Sequence, residues 1–340
     1  MTTEAAPAPP DDPDDLGAAL DRLLADADIW RSRALISAAE LDLFTALGRH
    51  GPAPAATLAQ AIGCDAPALA RLLAALDEMG YVARHGDAYV NRPVAAAFLD
   101  RAGPYHIGSW LRLHGADWAA WGELTTILRT GQPPRTGSLF DDPGRLAVLL
   151  HAAHERAMLF HVPGAVAAID PARSRRLIDV GGGAGSYALG LCAANPALDA
   201  VLFDLPAAIA VARDTLAGDP AAARIAFLPG DFHHDPLGGP YDLALISNVL
   251  HGEPPEAAAA LIGRVAAALE PGGRIAIRDN FLDDDGTSSA GGALFALVLM
   301  VETRAGRPYR AGEVAAMLCA AGCATIDRPA PAVMIGTLPA

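Results

Sequence analysis

Apolar residues recur at helical spacing through the first half of the chain and gather into short unbroken runs in the second. From Leu16 to Leu24 the positions Leu16, Leu20, Leu23 and Leu24 share one face, and in RSRALISAAELDLFTAL Leu35, Ile36, Ala39, Leu43, Phe44 and Leu47 do the same, so each segment predicts an amphipathic helix. TLAQAIGCDAPALARLLAALDEMGYV predicts a short helix, a turn at Gly63 and Cys64, then a second helix capped by Asp65, with Pro67 in its first turn and its end at Gly80. ARHGDAYV turns at His85, Gly86 and Asp87 between two short extended pieces. That order of elements is a winged-helix module. Residues 104–165 read as further helices holding Trp110, Trp118, Trp121, Phe140 and Phe160, aromatics that suit a core or a pocket for a flat ligand.

From residue 176 the pattern becomes strand, helix, strand. RLIDV, AVLFD, IAFLP, YDLALIS and RIAIR are apolar runs bounded by Gly, Pro or Asp, as expected of strands buried on both faces. SYALGLCAA, AAIAVARDTLA and PEAAAALIGRVAAALEPGG lie between them with helical character. The alternation predicts an α/β fold, a doubly wound Rossmann-like parallel sheet, joined to a mostly helical N-terminal domain.

Length and charge narrow the function classes. The 340 residues allow two or three domains, and a net charge of −14 is the wrong sign for a protein that grips nucleic acid phosphates. Residues 30–103 carry seven Arg against seven acids, and the second helix of the module has Arg71 beside Asp77 and Glu78, so a structural or dimer-forming use of the module is favoured over DNA reading. All 25 basic residues are Arg, which excludes Schiff-base chemistry on a lysine. The longest apolar run, Ala293–Val301, spans nine residues against the roughly 20 of a membrane helix. MTTEAAPAPPDDPDD lacks the basic and apolar regions of a signal peptide, so the expectation is a disordered acidic tail over residues 1–15 and a cytoplasmic protein without membrane or nucleic acid partners. The cysteines Cys64, Cys192, Cys319 and Cys323 form no CxxC, and Cys319 and Cys323, four apart in an expected helix, read as buried small apolar residues.

The richest segment is IDVGGGAGSYALG. A strand ends at Asp179 and Val180, a loop with Gly181, Gly182, Gly183 and Gly185 follows, and a helix begins near Ser186. Glycines there let the backbone approach a ligand at the carboxyl end of a strand. A dinucleotide loop would need a third glycine where Ser186 stands, which weakens a nicotinamide reading. The next strand ends in FDLP with Asp204 and Leu205, and the third in LPGDF with Asp231 and Phe232. A carboxylate after the second strand can accept from two ribose hydroxyls, an acid with an aromatic after the third can frame an adenine, and nothing basic stands ready for a pyrophosphate. The implied ligand is an adenosine without phosphates, S-adenosyl-L-methionine.

DVGGGAG, FDLP, GDF, NVLH, ALEPGGRIAIRD and EVAAMLCAAGC in that order resemble the caffeic-acid-type small-molecule O-methyltransferases, including their bacterial natural-product members, over nearly the whole chain. The resemblance implies a winged-helix dimerisation domain over 16–103, a helical linker contributing to the substrate pocket over 104–170, a methyl-donor domain over 171–340, and a homodimer whose partner helps close the pocket. It implies that Asp179, Gly181, Gly183 and Gly185 pass the methionine part, that Asp204 and Leu205 hold the ribose, that Asp231 and Phe232 frame the adenine, and that Ser247 replaces a lysine which helps position it.

Methyl transfer needs alignment, dryness and a sink for the acceptor's proton. By the same resemblance His251 is the general base and Asp279 the acid that orients it. A phenol near pKa 10 and an imidazole near 6.5 differ by about 3.5 units, roughly 5 kcal/mol against complete prior deprotonation, so proton loss is expected to accompany methyl arrival. The chain departs from the family pattern where Gly252 and Glu253 replace an acid and a tryptophan, and where Pro308 replaces a second helper acid, leaving Glu253 or Glu302 to substitute. His233 and His234, adjacent and without a third ligand at fixed spacing, predict no metal site. Candidate acceptor walls are Phe160, Asn248, Phe295, Leu299 and Met300. The expected activity is methylation of a hydroxyl on an aromatic or polyketide-like small molecule; transfer to nitrogen or carbon, another reaction of the same methyl donor on this fold, or a winged-helix ligand-sensing regulator are the alternatives.

Overall fold

Where the apolar pattern predicts one helix across Arg31–Leu47, the chain bends at Asp42. The computed structural model, which describes residues 16–132, 142–287, 292–303 and 305–340, has helices Ile29–Glu40 and Leu43–His50 with Asp42 between them at φ 54°. The Asp42 carboxylate accepts from the Thr45 hydroxyl (2.9 Å) and from Arg101 Nε (2.9 Å), so side-chain bonds offset the cost of a left-handed residue. Hydrophobic period alone cannot register this, because both helices keep their apolar residues on the inner side. The expected acidic tail and Phe140 lie outside the described residues.

The chain divides into two compact units, Met1–Ala116 and Asp117–Ala340. In the first, helix Ala55–Ile62 ends at Gly63, and helix Ala66–Glu78 is capped by the Asp65 side chain accepting from the Ala68 amide at 2.8 Å, with proline in its first turn as anticipated. The hairpin of β2 (Val82–His85) and β3 (Ala88–Asn91) follows, and the short β1 (Ala53–Pro54) pairs with β3 to complete an antiparallel sheet of three strands. Phe44, Leu47, Leu58, Leu73 and Leu76 pack together as its core, at about 1.5–3 kcal/mol for each buried large side chain. Helix Leu16–Asp26 has no buried residue at all.

The second unit is built on seven strands in the order β6-β5-β4-β7-β8-β10-β9. β4 (Arg176–Val180), β5 (Asp199–Asp204), β6 (Ile225–Pro229), β7 (Tyr241–Ser247) and β8 (Leu269–Arg278) are parallel. β9 (Thr325–Ala330) and β10 (Val333–Thr337) run antiparallel at one edge, so the sheet is mixed where the sequence pattern predicts only parallel strands. β9 is hard to read because it is mostly exposed and carries Pro329, which an edge strand tolerates.

Alternate residues feed the two faces of the sheet: Leu177, Leu202, Leu243 and Leu245 join one core, Ile178, Val180, Phe203 and Ile246 the other. The segment ALEPGG, expected to close a helix, is divided: the helix Pro255–Ala267 stops and β8 starts at Leu269, paired with Tyr241. The helix Ala311–Ala320 ends before Cys323, and Cys319 is exposed while Cys323 is buried beyond the turn at Gly322, so the two do not share a buried helical face. The sheet order reverses about β4, with β5 on one side and β7 on the other, and the crevice at the carboxyl ends of those strands is where such sheets bind ligands.

Candidate active site

The turn after β4 is shaped by three glycines at positive φ. Gly181 has φ 68°, donates its N–H to the Phe203 carbonyl at 2.8 Å, and a Cβ on it would lie 2.6 Å from Val249 Cγ2. Gly183, at φ 55°, donates to Asp204 Oδ2 at 2.8 Å. Gly185 precedes the helix Ser186–Ala194 and completes a bare-backbone cradle at the carboxyl edge.

Asp204 ends β5 and is held in the cradle by two main-chain donors, Gly183 and the Leu205 amide, the latter 2.7 Å from Oδ1. Burial raises its pKa and these two bonds act against that rise. Asp179, 1% exposed, has no hydrogen-bond partner within bonding geometry on either carboxyl oxygen among the described residues, the Ala188 amide being the main-chain donor that acts on it. Burial, with the nearby Asp204 carboxylate, pushes it up to about 7. A buried acid without a partner among the described residues, beside a turn whose glycines leave no room for side chains, fits a ligand carrying polar hydrogens, as S-adenosyl-L-methionine does in its amino acid and ribose.

After β6, the Asp231 carboxylate accepts from the His233 amide at 2.8 Å, and the Phe232 ring is half-buried with its centroid 4.5 Å from that of His233. Ser247 is buried at the end of β7, and Asn248 follows it at φ 55°, exposed, with its Nδ2 donating to Ser247 Oγ at 3.3 Å.

His251 stands in the short helical turn Leu250–Gly252 after β7. Its Nδ1 is 2.6 Å from Asp279 Oδ1, and its main-chain N–H donates to Asp279 Oδ2 at 3.3 Å. A carboxylate oxygen accepts here, so in the neutral imidazole Nδ1 is the nitrogen placed to carry the hydrogen and Nε2 the one placed to keep its lone pair. The Phe295 ring lies edge-on to the imidazole with centroids 4.9 Å apart. Asn248 and Phe295 thus come to the same strand ends as His251, whereas Leu299 is buried, and Phe160 and Met300 are 63% and 38% exposed.

The two glutamates expected to support His251 do other work. Glu302 pairs with Arg145, which also binds Asp117 at 2.9 Å, and Glu253 Oε1 lies 3.4 Å from His233 Nε2. The support on the ring is Asp279. Sequence reasoning missed the Arg145 pairings and Arg278, a charged residue that is 6% exposed at the end of β8; a lone Arg closing an apolar strand was the available signal. Among the described residues no group of three or more His, Cys, Asp or Glu is placed to hold a metal, and no helix is long and apolar enough to cross a membrane.

A family model for an O-methyltransferase domain matches residues 140–324, and one for an O-methyltransferase dimerisation domain matches residues 24–101. The chain belongs to the O-methyltransferase family. It is 35% identical over 301 residues to the tetracenomycin polyketide synthesis 8-O-methyl transferase TcmO of Streptomyces glaucescens, covering 86% of this chain and 88% of that one. It is 33% identical over 280 residues to the 3-amino-4-hydroxybenzoate 4-O-methyltransferase of Streptomyces cremeus, covering 79% and 75%. Among solved structures, PigF with SAH superposes with a TM-score of 0.80 at 27% identity, over 94% of this chain and 99% of that one. This O-methyltransferase depends on S-adenosyl-L-methionine as its methyl donor.

Proposed function

We propose that this O-methyltransferase methylates a hydroxyl on an aromatic or polyketide-like small molecule, with His251 as general base and Asp279 as its positioning partner. The observation that carries the reading is the 2.6 Å contact between His251 Nδ1 and Asp279 Oδ1, on the same edge of the sheet as the glycine cradle. Gly181, Gly183, Gly185 and Asp179 would hold the methionine part of the donor, Asp204 and Leu205 its ribose, and Asp231, Phe232 and Ser247 its adenine. When bound, S-adenosyl-L-methionine supplies a methyl group on a positively charged sulfur.

The chain's own part is positional and acid–base. Asp279 keeps the imidazole in the tautomer whose Nε2 can accept a proton and stabilises the ring once it is charged. His251 takes the acceptor's hydroxyl proton at Nε2 as the oxygen becomes nucleophilic. Phe295 fixes the ring plane from its edge and keeps water away from that side, and Asn248 supplies a polar wall.

The wider apolar surface supports a homodimer. Leu16, Leu20, Leu23 and Leu24 are all more than half exposed, and Trp30 is 86% exposed, in and next to the segment that matches the dimerisation model. A second copy of the winged-helix module would cover them; a single-chain mass by light scattering would overturn that part.

Incubation with S-adenosyl-L-methionine carrying a labelled methyl group and a panel of hydroxylated aromatics tests the reaction. The expected result is a product carrying the label on oxygen. Label found only on nitrogen or carbon, or no label transfer by a protein that binds the donor, overturns it.

A further inference from the structure

Arg278 closes β8 and is buried, yet none of its contacts among the described residues is with a carboxylate. Its Nη1 donates to the Asn248 side-chain oxygen, and its guanidinium faces the Tyr187 ring with 5.8 Å from Cζ to the centroid. Both partners are neutral. A buried cation is costly unless a counter-charge meets it, because the interior replaces its hydration poorly. Two further basic side chains feel this charge. Arg156 at the end of the helix Pro143–Arg156 is near enough that burial and Arg278 lower its pKa, and burial with Arg278 and Arg156 pushes His161 down to about 4.

The position gives this charge a direction. Ser247 and Arg278 are register partners at the carboxyl ends of β7 and β8, and Tyr187 is in the first turn of the helix that follows the glycine cradle. Asn248, whose oxygen the guanidinium holds, is exposed and stands three residues before His251. Its own N–H donates to the Arg278 carbonyl at 2.8 Å, so main chain and side chain tie the two residues together at the floor of the crevice.

The geometry points to a buried carboxylate-binding site built on Arg278. A guanidinium presents paired donors that match a carboxylate in two places at once. Two sources bring that group to this edge of the sheet: the amino acid end of the methyl donor, and an acid group on an aromatic acceptor. The inference rests on the methyl-donor reading of the crevice and adds to it the charge of one ligand.

Calorimetry with S-adenosylhomocysteine and with 5′-methylthioadenosine, which keeps the thionucleoside but lacks the amino acid, separates the sources. If the donor's carboxylate occupies the site, Arg278→Met weakens S-adenosylhomocysteine about 10-fold or more and leaves methylthioadenosine within about twofold. If an acceptor carboxylate does, neither nucleoside changes, and 4-hydroxybenzoate loses its advantage over 4-hydroxybenzamide when titrated by ligand-observed NMR into protein saturated with S-adenosylhomocysteine. A folded Arg278→Met protein unchanged in both arms overturns the site. Should that variant not fold, the wild-type protein decides: S-adenosylhomocysteine and 4-hydroxybenzoate each binding no tighter than its own carboxamide overturns it equally. Failure of the wild type to bind either nucleoside would instead sink the methyl-donor reading.

Discussion

One carboxylate, that of Asp279, holds both the ring and the main chain of His251: Oδ1 meets Nδ1 at 2.6 Å while Oδ2 accepts the His251 amide at 3.3 Å. Asp279 comes from the end of β8 and His251 from the turn after β7, so the parallel pairing of those strands sets their distance. The side chain of Asp279 is 5% exposed, which protects the contact from competing water.

Asp279→Asn preserves shape but removes the charge and permits the other tautomer. Turnover is expected to fall about 10²–10⁴-fold, with S-adenosylhomocysteine affinity within about twofold of wild type, and His251→Ala should fall in the same range. Steady-state rates with calorimetry check this, and wild-type turnover in either variant would remove the pair from the mechanism.

Asp204→Asn weakens an acceptor that serves the Gly183 and Leu205 amides at once. Hydrogen bonds to a charged group contribute about 1.5–3 kcal/mol each, so S-adenosylhomocysteine binding should weaken about 10- to 100-fold. Unchanged affinity by calorimetry would take the ribose contact away from this residue.

Asp179 links stability to pH. Burial, and then the neighbouring Asp204, raise its folded pKa from 3.8 to about 7, so between those values the folded chain binds more protons than the unfolded one and stability falls as pH rises. The full window amounts to on the order of 4 kcal/mol. Asp179→Asn, which needs no ionisation, should flatten that dependence and raise the melting temperature of the ligand-free protein at pH 8. Calorimetric scans from pH 5 to 8 showing equal slopes for both proteins would contradict the assignment.

Arg145 is shared by Asp117 and Glu302, with side-chain exposures of 13%, 9% and 17%. Burial works to lower its pKa, but Asp117 and Glu302 outweigh it and raise the value. Arg145→Met takes the cation from two largely buried acids and should cost about 3 kcal/mol, a melting temperature lower by roughly 4–6 °C. Arg145→Lys should restore part of the loss; a scan showing no change in Arg145→Met would mean the pairings contribute nothing net.

The amino-acid sequence by itself determined the parallel strands, the glycine turn, the acids at the ends of β5 and β6 and the presence of a histidine after β7. Each is written locally, in an apolar run, a forced backbone conformation or a short spacing. The family resemblance named Asp279 as the acid that orients His251 and left Glu253 and Glu302 to substitute for missing acids; the tertiary structure decided the contacts themselves, bringing Asp279 to the imidazole while the other two met His233 and Arg145. It also decided the bend at Asp42, the two antiparallel edge strands and the burial of Arg278 beneath Asn248. Those depend on contacts between residues far apart in the chain, and periodicity carries no record of a partner that folding alone brings near.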